Sequence, residues 1–361
     1  MDTLSLRSLN RATLERQLLL SRVDLPPLDV VERLAGLQAQ DPDPPYVGLW
    51  SRITGFRHDG LTRLLHERSV VRATLFRGTQ HLVSAADYLW LRPLLQPMLD
   101  RWQKGAFGRA TAGLDLTELA ETAAALIGTG SPSRPELGRA LAERWPGRDP
   151  VALARSVQGL LPVVHPPPDG TWGRRGTTPF ALARHWLGEP PAAEPSPRDL
   201  VLRYLAAFGP ASVKDVQAWS GMTRLREVVE GLRPVLRPFR GEDGGELWDL
   251  PDAPRPEADA PAPVRFLAAL DNVVLGHADR TRLMTAEQRP HVIVDAALTV
   301  DGFVRGLWAV RRAGDTATLA VRLFAPLSGA EEAEVAEEGG RLLRFAAGDA
   351  PSHDIHFTTV A

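Results

Sequence analysis

Apolar residues between positions 198 and 252 are spaced as in a unit of three helices and a hairpin. A first helix is predicted over Arg198 to Phe208, and the capping pair Ser212 and Asp215 begins a second. A third helix is predicted from apolar residues at helical spacing: Leu225, Val228, Val229 and Leu232. Short apolar stretches around a glycine-containing turn then predict two strands. This order is typical of a winged helix.

A second unit of this kind is predicted from about residue 114 to residue 175. Its helix starts are marked by capping residues: Ser133 with Glu136, and Asp149 before Pro150. The strand Val163–Val164 is expected to turn at a proline-rich stretch and to return through Thr171 and Trp172.

The first unit follows the same order less clearly. Helices are predicted over residues 11–22, from Asp29 onward and over residues 61–67. The stretches 70–75 and 79–83 predict a hairpin across Arg77 and Gly78.

The last hundred residues differ in kind. Strands are predicted over residues 264–270, 291–298, 303–311 and 317–324, and an amphipathic helix over 331–346. The predicted fold class is therefore α+β, with three tandem winged-helix units and a C-terminal mixed α/β domain. We expect domains at residues 1–110, 111–190, 196–252 and 263–361.

Charge is unevenly distributed along the chain. The formal net charge is −2, whereas a strongly basic domain is the usual mark of nucleic-acid binding. Residues 1–110 carry +4, residues 111–200 carry −1 and residues 201–361 carry −5, so positive charge is concentrated toward the N-terminus. Of the 42 basic residues, only Lys104 and Lys214 are lysines.

Composition excludes several functional classes. The sequence has no cysteine, which rules out disulfides, thiolate metal sites and cysteine nucleophiles. It lacks a signal-peptide core, and no apolar run approaches the ~18 residues needed to span a bilayer. We therefore expect a cytoplasmic protein. Phosphate loops, dinucleotide fingerprints and nucleophile elbows are missing from the sequence, and His353 and His356 are interpreted as surface residues of a terminal strand, so no metal site is predicted.

The most motif-like stretch is LQAQDPDPPYVGLWSR, residues 37–52. Pro42 disfavours a helical Asp41, so the preceding helix is expected to end before or within this stretch. In an extended segment Gln38 and Gln40 share one face, whereas in a helix they diverge. On spacing alone two interpretations stay open: two amides that converge at a site, or a polar helix terminus whose amides cap free carbonyls.

Three stretches in this order resemble the AlkZ-type bacterial DNA glycosylases: residues 37–52, RATLFRGTQHLV at 72–83 and DNVVLGHADR at 271–280. The resemblance spans nearly the whole chain. It implies winged helices arranged around DNA and a Gln-hydrophobe-Gln catalytic motif at Gln38 and Gln40. The YcaQ branch of the family carries aspartate at the second position. Gln40 therefore places the chain with the AlkZ branch, which is associated with removal of bulky N7-alkylguanines made by antibiotic alkylators.

The expected activity is that of a monofunctional DNA glycosylase acting on cationic N7-alkylguanine lesions or crosslinks, in antibiotic self-resistance or DNA repair. An N7-alkylated guanine already carries positive charge and departs as a neutral base without protonation. Glutamine carbonyl oxygens can hold the attacking water and face the cationic sugar. No cofactor is expected, and the near absence of lysine favours hydrolysis by water over a Schiff base.

The expected partner is double-stranded DNA carrying alkylated guanine, bound by a monomeric, nucleoid-associated bacterial protein. Ten residues are candidates for DNA contact: Arg52, Arg72, Arg77, His81, Arg174, Arg175, Asn272, His277, Arg280 and Arg282. For Arg72 and Arg77, the competing interpretation is a hairpin that packs on the first helix. For Arg174 and Arg175, it is a solvated loop. For residues 272–282 a polar loop or hairpin near the lesion is expected.

Two other functions stay open. A winged-helix transcription regulator would use Arg224 and Arg226, early in the third recognition helix, to read bases. A lesion sensor would bind damaged DNA without forming abasic sites.

Overall fold

The architecture is taken from a computed structural model that describes residues 2–192, 194–293 and 295–360. The first residue of the predicted domain 1–110, the last of 263–361 and Val294 of the predicted strand 291–298 lie outside the described residues.

The N-terminal part begins with a strand and a helix that precede the first unit. Its elements are β1 (Asp2–Leu4), α1 (Leu6–Arg16), α2 (Pro27–Arg33), β2 (Leu37–Gln38), α3 (Pro44–Trp50), α4 (His58–His66), β3 (Val70–Thr74), β4 (Gln80–Ser84), α5 (Ala85–Leu94) and α6 (Gln96–Phe107). The predicted hairpin is confirmed as β3 and β4, and the sheet order is β2-β4-β3. The helix predicted over residues 11–22 instead covers Leu6–Arg16, and Leu18 just beyond it has a left-handed φ of 56°.

The second unit departs from its prediction in the hairpin. Its elements are α7 (Leu116–Ile127), α8 (Arg134–Arg144), α9 (Pro150–Leu160), β5 (Val163–Val164), β6 (Ala181–Leu182) and α10 (Ala183–Leu187). The returning strand predicted at Thr171 and Trp172 is wrong, because the long β5–β6 loop leaves the hairpin and packs on the first unit. There Trp172 stacks on His58 with ring centroids 4.2 Å apart.

The third unit agrees closely with its prediction. Its elements are α11 (Pro197–Phe208), α12 (Val213–Ser220), α13 (Arg226–Leu232), β7 (Arg237–Gly241) and β8 (Glu246–Asp249). The capping box of Ser212 and Asp215 is confirmed, and Gly221, with φ 76°, ends α12. Strand β1 pairs in parallel with β7, so the N-terminal strand of the predicted domain 1–110 lies in the sheet of this unit.

A five-stranded sheet dominates the C-terminal part. The elements are β9 (Arg265–Phe266), α14 (Asn272–Leu275), α15 (Arg289–Val292), β10 (Ala296–Val300), β11 (Phe303–Ala313), β12 (Thr316–Leu323), α16 (Gly329–Ala346) and β13 (Ser352–Thr359), with sheet order β13-β12-β11-β10-β9. The loop or hairpin expected over residues 272–282 is wrong at its start, where a short helix forms. The strand expected from His291 begins only at Ala296, because the helix α15 occupies the preceding residues.

The three units share one topology, helix–strand–helix–helix–hairpin, which is that of a winged helix. In each, a short extended segment after the first helix pairs with the chain at the second half of the hairpin: β2 with β4, Ser133 with Pro179, and Ala211 with Trp248. The Gln38 stretch is therefore the short first strand of the first unit, and not part of a recognition helix.

A buried ion pair joins the first unit to the C-terminal part. The guanidinium of Arg52 makes two parallel hydrogen bonds to the Asp271 carboxylate, at 2.9 and 2.8 Å, and also donates to the backbone oxygen of Gln17 at 2.8 Å. Both side chains of the pair are buried. The guanidinium of Arg52 is thus buried and hydrogen-bonded within the protein, so its position does not fit the expected DNA contact.

Replacing Asp271 with alanine should strongly destabilise the protein, because it leaves the Arg52 charge buried without a counter-charge. We expect the free energy of unfolding to fall by about 3–5 kcal/mol in a urea titration. The exposed pair of Arg233 and Glu230 supplies the control, and Glu230→Ala should cost only about 0–1 kcal/mol. Equal losses in the two variants would show that the Arg52–Asp271 pair is not the structural link described above.

Candidate active site

Gln38 and Gln40 lie on the edge strand β2 and its continuation. Gln38 stands opposite His81 in the antiparallel pairing, and the Ala39 N–H donates to the Gln80 carbonyl at 2.8 Å, which extends the pairing past Gln38. The Ala39 side chain is fully buried in the core. The preceding helix ends at Arg33, before the motif, as expected, and the motif itself is extended. Gln38 is buried at 8% exposure, whereas Gln40 is exposed.

Arg77 fixes the orientation of the Gln38 amide. Its guanidinium donates to Gln38 Oε1 at 2.9 Å and to the backbone oxygen of Trp219 in α12. Arg77 itself has a left-handed φ of 57°, which turns its side chain back toward β2. Burial and the nearby Arg280 lower the pKa of Arg77 to about 10, so the group stays charged at neutral pH. No other described residue donates to Gln38 Oε1, which leaves its second lone pair available.

Arg72 holds the backbone of the same motif. Its Nε donates to the Ala39 carbonyl at 2.7 Å and one Nη donates to the Gln40 carbonyl at 2.9 Å. Its other Nη is ion-paired with Asp169 from the β5–β6 loop. Gln40 is further oriented because its Oε1 accepts from the Gln80 N–H at 3.2 Å. With its donors used in this way, buried Arg72 supports the motif, and the expected phosphate contact does not fit its position.

His81 is a neutral, fully buried side chain beside Gln38. Its Nδ1 lies 3.0 Å from the Thr79 carbonyl, and its Nε2 has no partner among the described residues. Burial, together with the charge of Arg77, lowers the pKa of His81 to about 3. An ionic contact to a DNA phosphate would require an exposed, positively charged side chain. His81 is buried and neutral, so it does not fit this expected role.

The third stretch that resembles the family, residues 271–280, and the nearby Arg282 contribute buried side chains around the site. Asn272 donates to the Gly36 carbonyl at 3.0 Å, two residues before Gln38. His277 contacts the Phe208 carbonyl at 3.0 Å through Nε2, and Arg282 donates to Thr13 Oγ1 and to the Pro210 carbonyl. These three side chains are buried, so the expected DNA contacts do not fit them. Arg280 is half-buried and lies close enough to Arg77 to lower its pKa.

A polar cavity of about 420 Å³ opens beside Gln40. It brings Gln40, Gln80 and Arg72 of the first unit together with parts of the second unit. Arg175 lines it, while Arg174 is exposed on the same loop. The cavity also contains residues that the motifs did not indicate: Trp102, Phe107, Arg134, Arg155 and Gln158. Their shared position depends on how the two units pack, which leaves no local signal in the sequence. Gln38 does not line this cavity.

Within residues 2–192, 194–293 and 295–360, no group of three or more histidine or acidic side chains is arranged to hold a metal ion. Across the same ranges, no helix combines the length and the apolar character needed to cross a membrane.

The family model described as DNA glycosylase AlkZ-like matches residues 31–345, which include both glutamines. The chain belongs to the AlkZ-like DNA glycosylases. It is therefore an enzyme that hydrolyses N-glycosyl bonds, and the transcription-regulator interpretation is not favoured. The chain is similar to the interstrand DNA cross-link repair glycosylase of Streptomyces sahachiroi, with 24% identity over 331 residues that cover 82% of this chain and 85% of the relative.

The fold agrees with this membership. The solved structure of the Streptomyces sahachiroi DNA glycosylase AlkZ superposes with a TM-score of 0.77 at 20% sequence identity, and the match covers 99% of this chain and 100% of that one. The predicted arrangement of tandem winged helices with a C-terminal α/β part is consistent with that likeness.

Buried neutral histidines should make the fold of this glycosylase sensitive to mild acid. Burial lowers the pKa of His81, His165 and His277 to about 3, whereas in the unfolded chain they titrate near ~6.5. Below pH ~6.5 the unfolded state therefore binds more protons, so the free energy of unfolding decreases as pH falls. Three such groups correspond to a slope of about 4 kcal/mol per pH unit near pH ~5.

Urea titrations between pH ~6.5 and ~5 measure this slope. This pH window lies above the usual pKa values of carboxylates, about 4, so the histidines dominate the change in bound protons. His165→Gln, in the second unit, should reduce the slope by about a third, because one of three equivalent protons is removed. An unchanged slope in that variant would contradict a neutral buried His165.

Proposed function

We propose that the protein is a monofunctional DNA glycosylase that hydrolyses the glycosidic bond of cationic N7-alkylguanines, including bulky adducts and interstrand crosslinks. The observation that carries the proposal is the pair of oriented amides, Gln38 on β2 and Gln40 on its continuation, with Gln40 exposed at the cavity. The similarity to a cross-link repair glycosylase supports the substrate class. Antibiotic self-resistance and DNA repair are the settings in which such lesions arise.

The chemistry follows from the charge of the lesion. An N7-alkylated guanine leaves as a neutral base, so the enzyme needs no general acid. What remains is to place a water near C1′ and to stabilise an oxocarbenium-like sugar. A carbonyl oxygen can accept a hydrogen bond from that water and present partial negative charge to the sugar. Positioning of this kind lowers a barrier by several kcal/mol.

The hydrogen bonds around the motif supply the required rigidity. Arg77 holds Gln38 Oε1, the Gln80 N–H holds Gln40 Oε1, and Arg72 holds the intervening backbone. Each amide is thereby oriented before substrate binds, which lowers the cost of reorganisation during the reaction.

Water is proposed as the nucleophile because neither lysine is part of the site. Lys104 lines a cavity with Leu114 and Leu160, and Lys214 lines another with Arg226 and Trp248. Neither lines the cavity beside Gln40. We infer in addition that the protein acts as a monomer on double-stranded bacterial chromosomal DNA, in the cytoplasm and without a cofactor, largely independently of sequence.

Removal of either amide tests the proposed motif. Gln38→Ala and Gln40→Ala should each slow single-turnover release of N7-alkylguanine by about a hundredfold, the usual effect of losing one preorganised dipole. DNA affinity should change little, because neither amide is charged. Asp41 also lines the cavity and is the matched control. If Asp41→Asn abolished release while both glutamine variants stayed active, a carboxylate and not the amides would activate the water.

The charge of the leaving group provides an independent test. Release of uncharged deaminated bases from otherwise identical duplexes should be at least about a hundredfold slower than release of N7-alkylguanine. The reason is that general-acid assistance, worth about 10²–10⁴-fold, is missing from the site. Abasic sites scored after mild alkaline treatment measure both rates. Equal rates would refute the dependence on a cationic lesion, and a borohydride-trapped covalent complex would refute direct hydrolysis.

A further inference from the structure

The cavity beside Gln40 contains an excess of positive charge. Four arginines and two aspartates line it, which gives a net charge of +2. Asp169 is already ion-paired with Arg72, and Arg72 uses its other donors on the motif backbone. The charge of Arg72 is therefore compensated within the protein.

The remaining three arginines have no ion-pair partner among the described residues. Arg134, Arg155 and Arg175 form no salt bridge and donate no side-chain hydrogen bond to any described residue, whereas many other arginines of the chain are ion-paired. Arg134 is half-buried as the first residue of α8, Arg155 is exposed on α9, and Arg175 is exposed on the β5–β6 loop. Three elements of the second unit thus direct guanidinium groups to one cavity.

These guanidinium groups repel one another in the free protein. Burial and the neighbouring charges of Arg155 and Arg72 lower the pKa of Arg134, although Asp169 opposes the shift. Trp102 and Phe107 also line the cavity, in edge-to-face contact with centroids 5.3 Å apart. An anion placed between the arginines would remove the repulsion, and among the lining carboxylates only the single Asp41 is not already paired.

The reaction makes this charge a problem unless the substrate neutralises it. Both the N7-alkylated base and the oxocarbenium-like sugar are cationic, so three uncompensated arginines nearby oppose them. The nearest anions that a DNA substrate brings to C1′ are the backbone phosphates of the lesion nucleotide. Arginine is the side chain best suited to bind phosphate, because its planar fork donates two parallel hydrogen bonds.

We propose that Arg134, Arg155 and Arg175 form a phosphate site of the second winged-helix unit, which binds a phosphodiester flanking the lesion and so places C1′ against Gln40. This assignment rests on the proposed glycosylase function. It adds Arg134 and Arg155 to the DNA-contacting residues and gives the second unit a positioning role in the reaction.

Neutral phosphate analogues test the site directly. Duplexes containing the lesion carry a methylphosphonate at one phosphate, either 5′ or 3′ to the damaged nucleotide, and their binding is compared for the parent enzyme and for Arg155→Gln and Arg175→Gln. Both side chains are exposed, so these variants should fold. Each substitution should weaken binding of the natural duplex about tenfold, as expected for a charge-assisted hydrogen bond.

The decisive result is whether the methylphosphonate in the DNA and the arginine substitution in the protein have non-additive effects on binding, that is, whether they are coupled. The methylphosphonate should weaken binding to the parent enzyme at one flanking position, and it should have little further effect on the arginine variants. The salt dependence of binding should also become shallower in those variants. Arg139 is exposed on the same helix as Arg134 and does not line the cavity, so Arg139→Gln is the matched control and should change neither quantity.

Two outcomes would overturn the proposal. One is that the parent enzyme and the variants respond equally to a methylphosphonate at every flanking position. The other is that excision is lost in the variants while the salt dependence of binding is unchanged, which would assign the arginines to the lesion itself. If the methylphosphonate and arginine effects are coupled but the parent enzyme excises no base, the proposed chemistry is refuted and the phosphate site is not. Normal excision without coupling would refute the phosphate site alone.

Discussion

The site depends on two arginines of one hairpin that both bind the short extended segment from Gln38 to Gln40. Arg72 binds the carbonyl groups of Ala39 and Gln40 and reaches Asp169 in the second unit. Arg77 binds the Gln38 amide and reaches the Trp219 carbonyl in the third unit. An edge strand alone has free donors and acceptors and little rigidity. Here its position is fixed by bonds that also join three winged helices.

This arrangement explains why polar motifs far apart in sequence are largely buried. Arg52 and Asp271 pair in the interior, and Asn272 binds the Gly36 carbonyl directly before β2. A buried ion pair adds little net stability, but loss of one partner is costly, so such pairs enforce one arrangement of the units. The buried side chains of this stretch therefore support the backbone next to Gln38 from inside the protein.

Local patterns in the sequence predicted most elements, because caps and apolar spacing act over a few residues. The capping boxes of α8 and α12 and the hairpin of β3 and β4 are examples. The β5–β6 loop was predicted wrongly, since Trp172 packs on His58 and Asp169 pairs with Arg72, both in another unit. The same limit applies to the site. The glutamines are one motif, whereas Arg134 and Arg155 meet Gln40 only after the units pack together.

The position of Arg77 also bears on why an amide and not a carboxylate occupies residue 38. A carboxylate 2.9 Å from a buried guanidinium would form an ion pair, and each group would cancel the charge of the other. The carbonyl dipole of an amide accepts the same hydrogen bond and keeps its second lone pair directed elsewhere. Such a site lacks the power of a general base, which is less needed when water attacks a sugar that is already cationic. Under this proposal, an amide held by arginine suffices because the substrate supplies a base that is already charged. The substrate also supplies phosphates, and these neutralise the arginines that would otherwise oppose a cationic transition state.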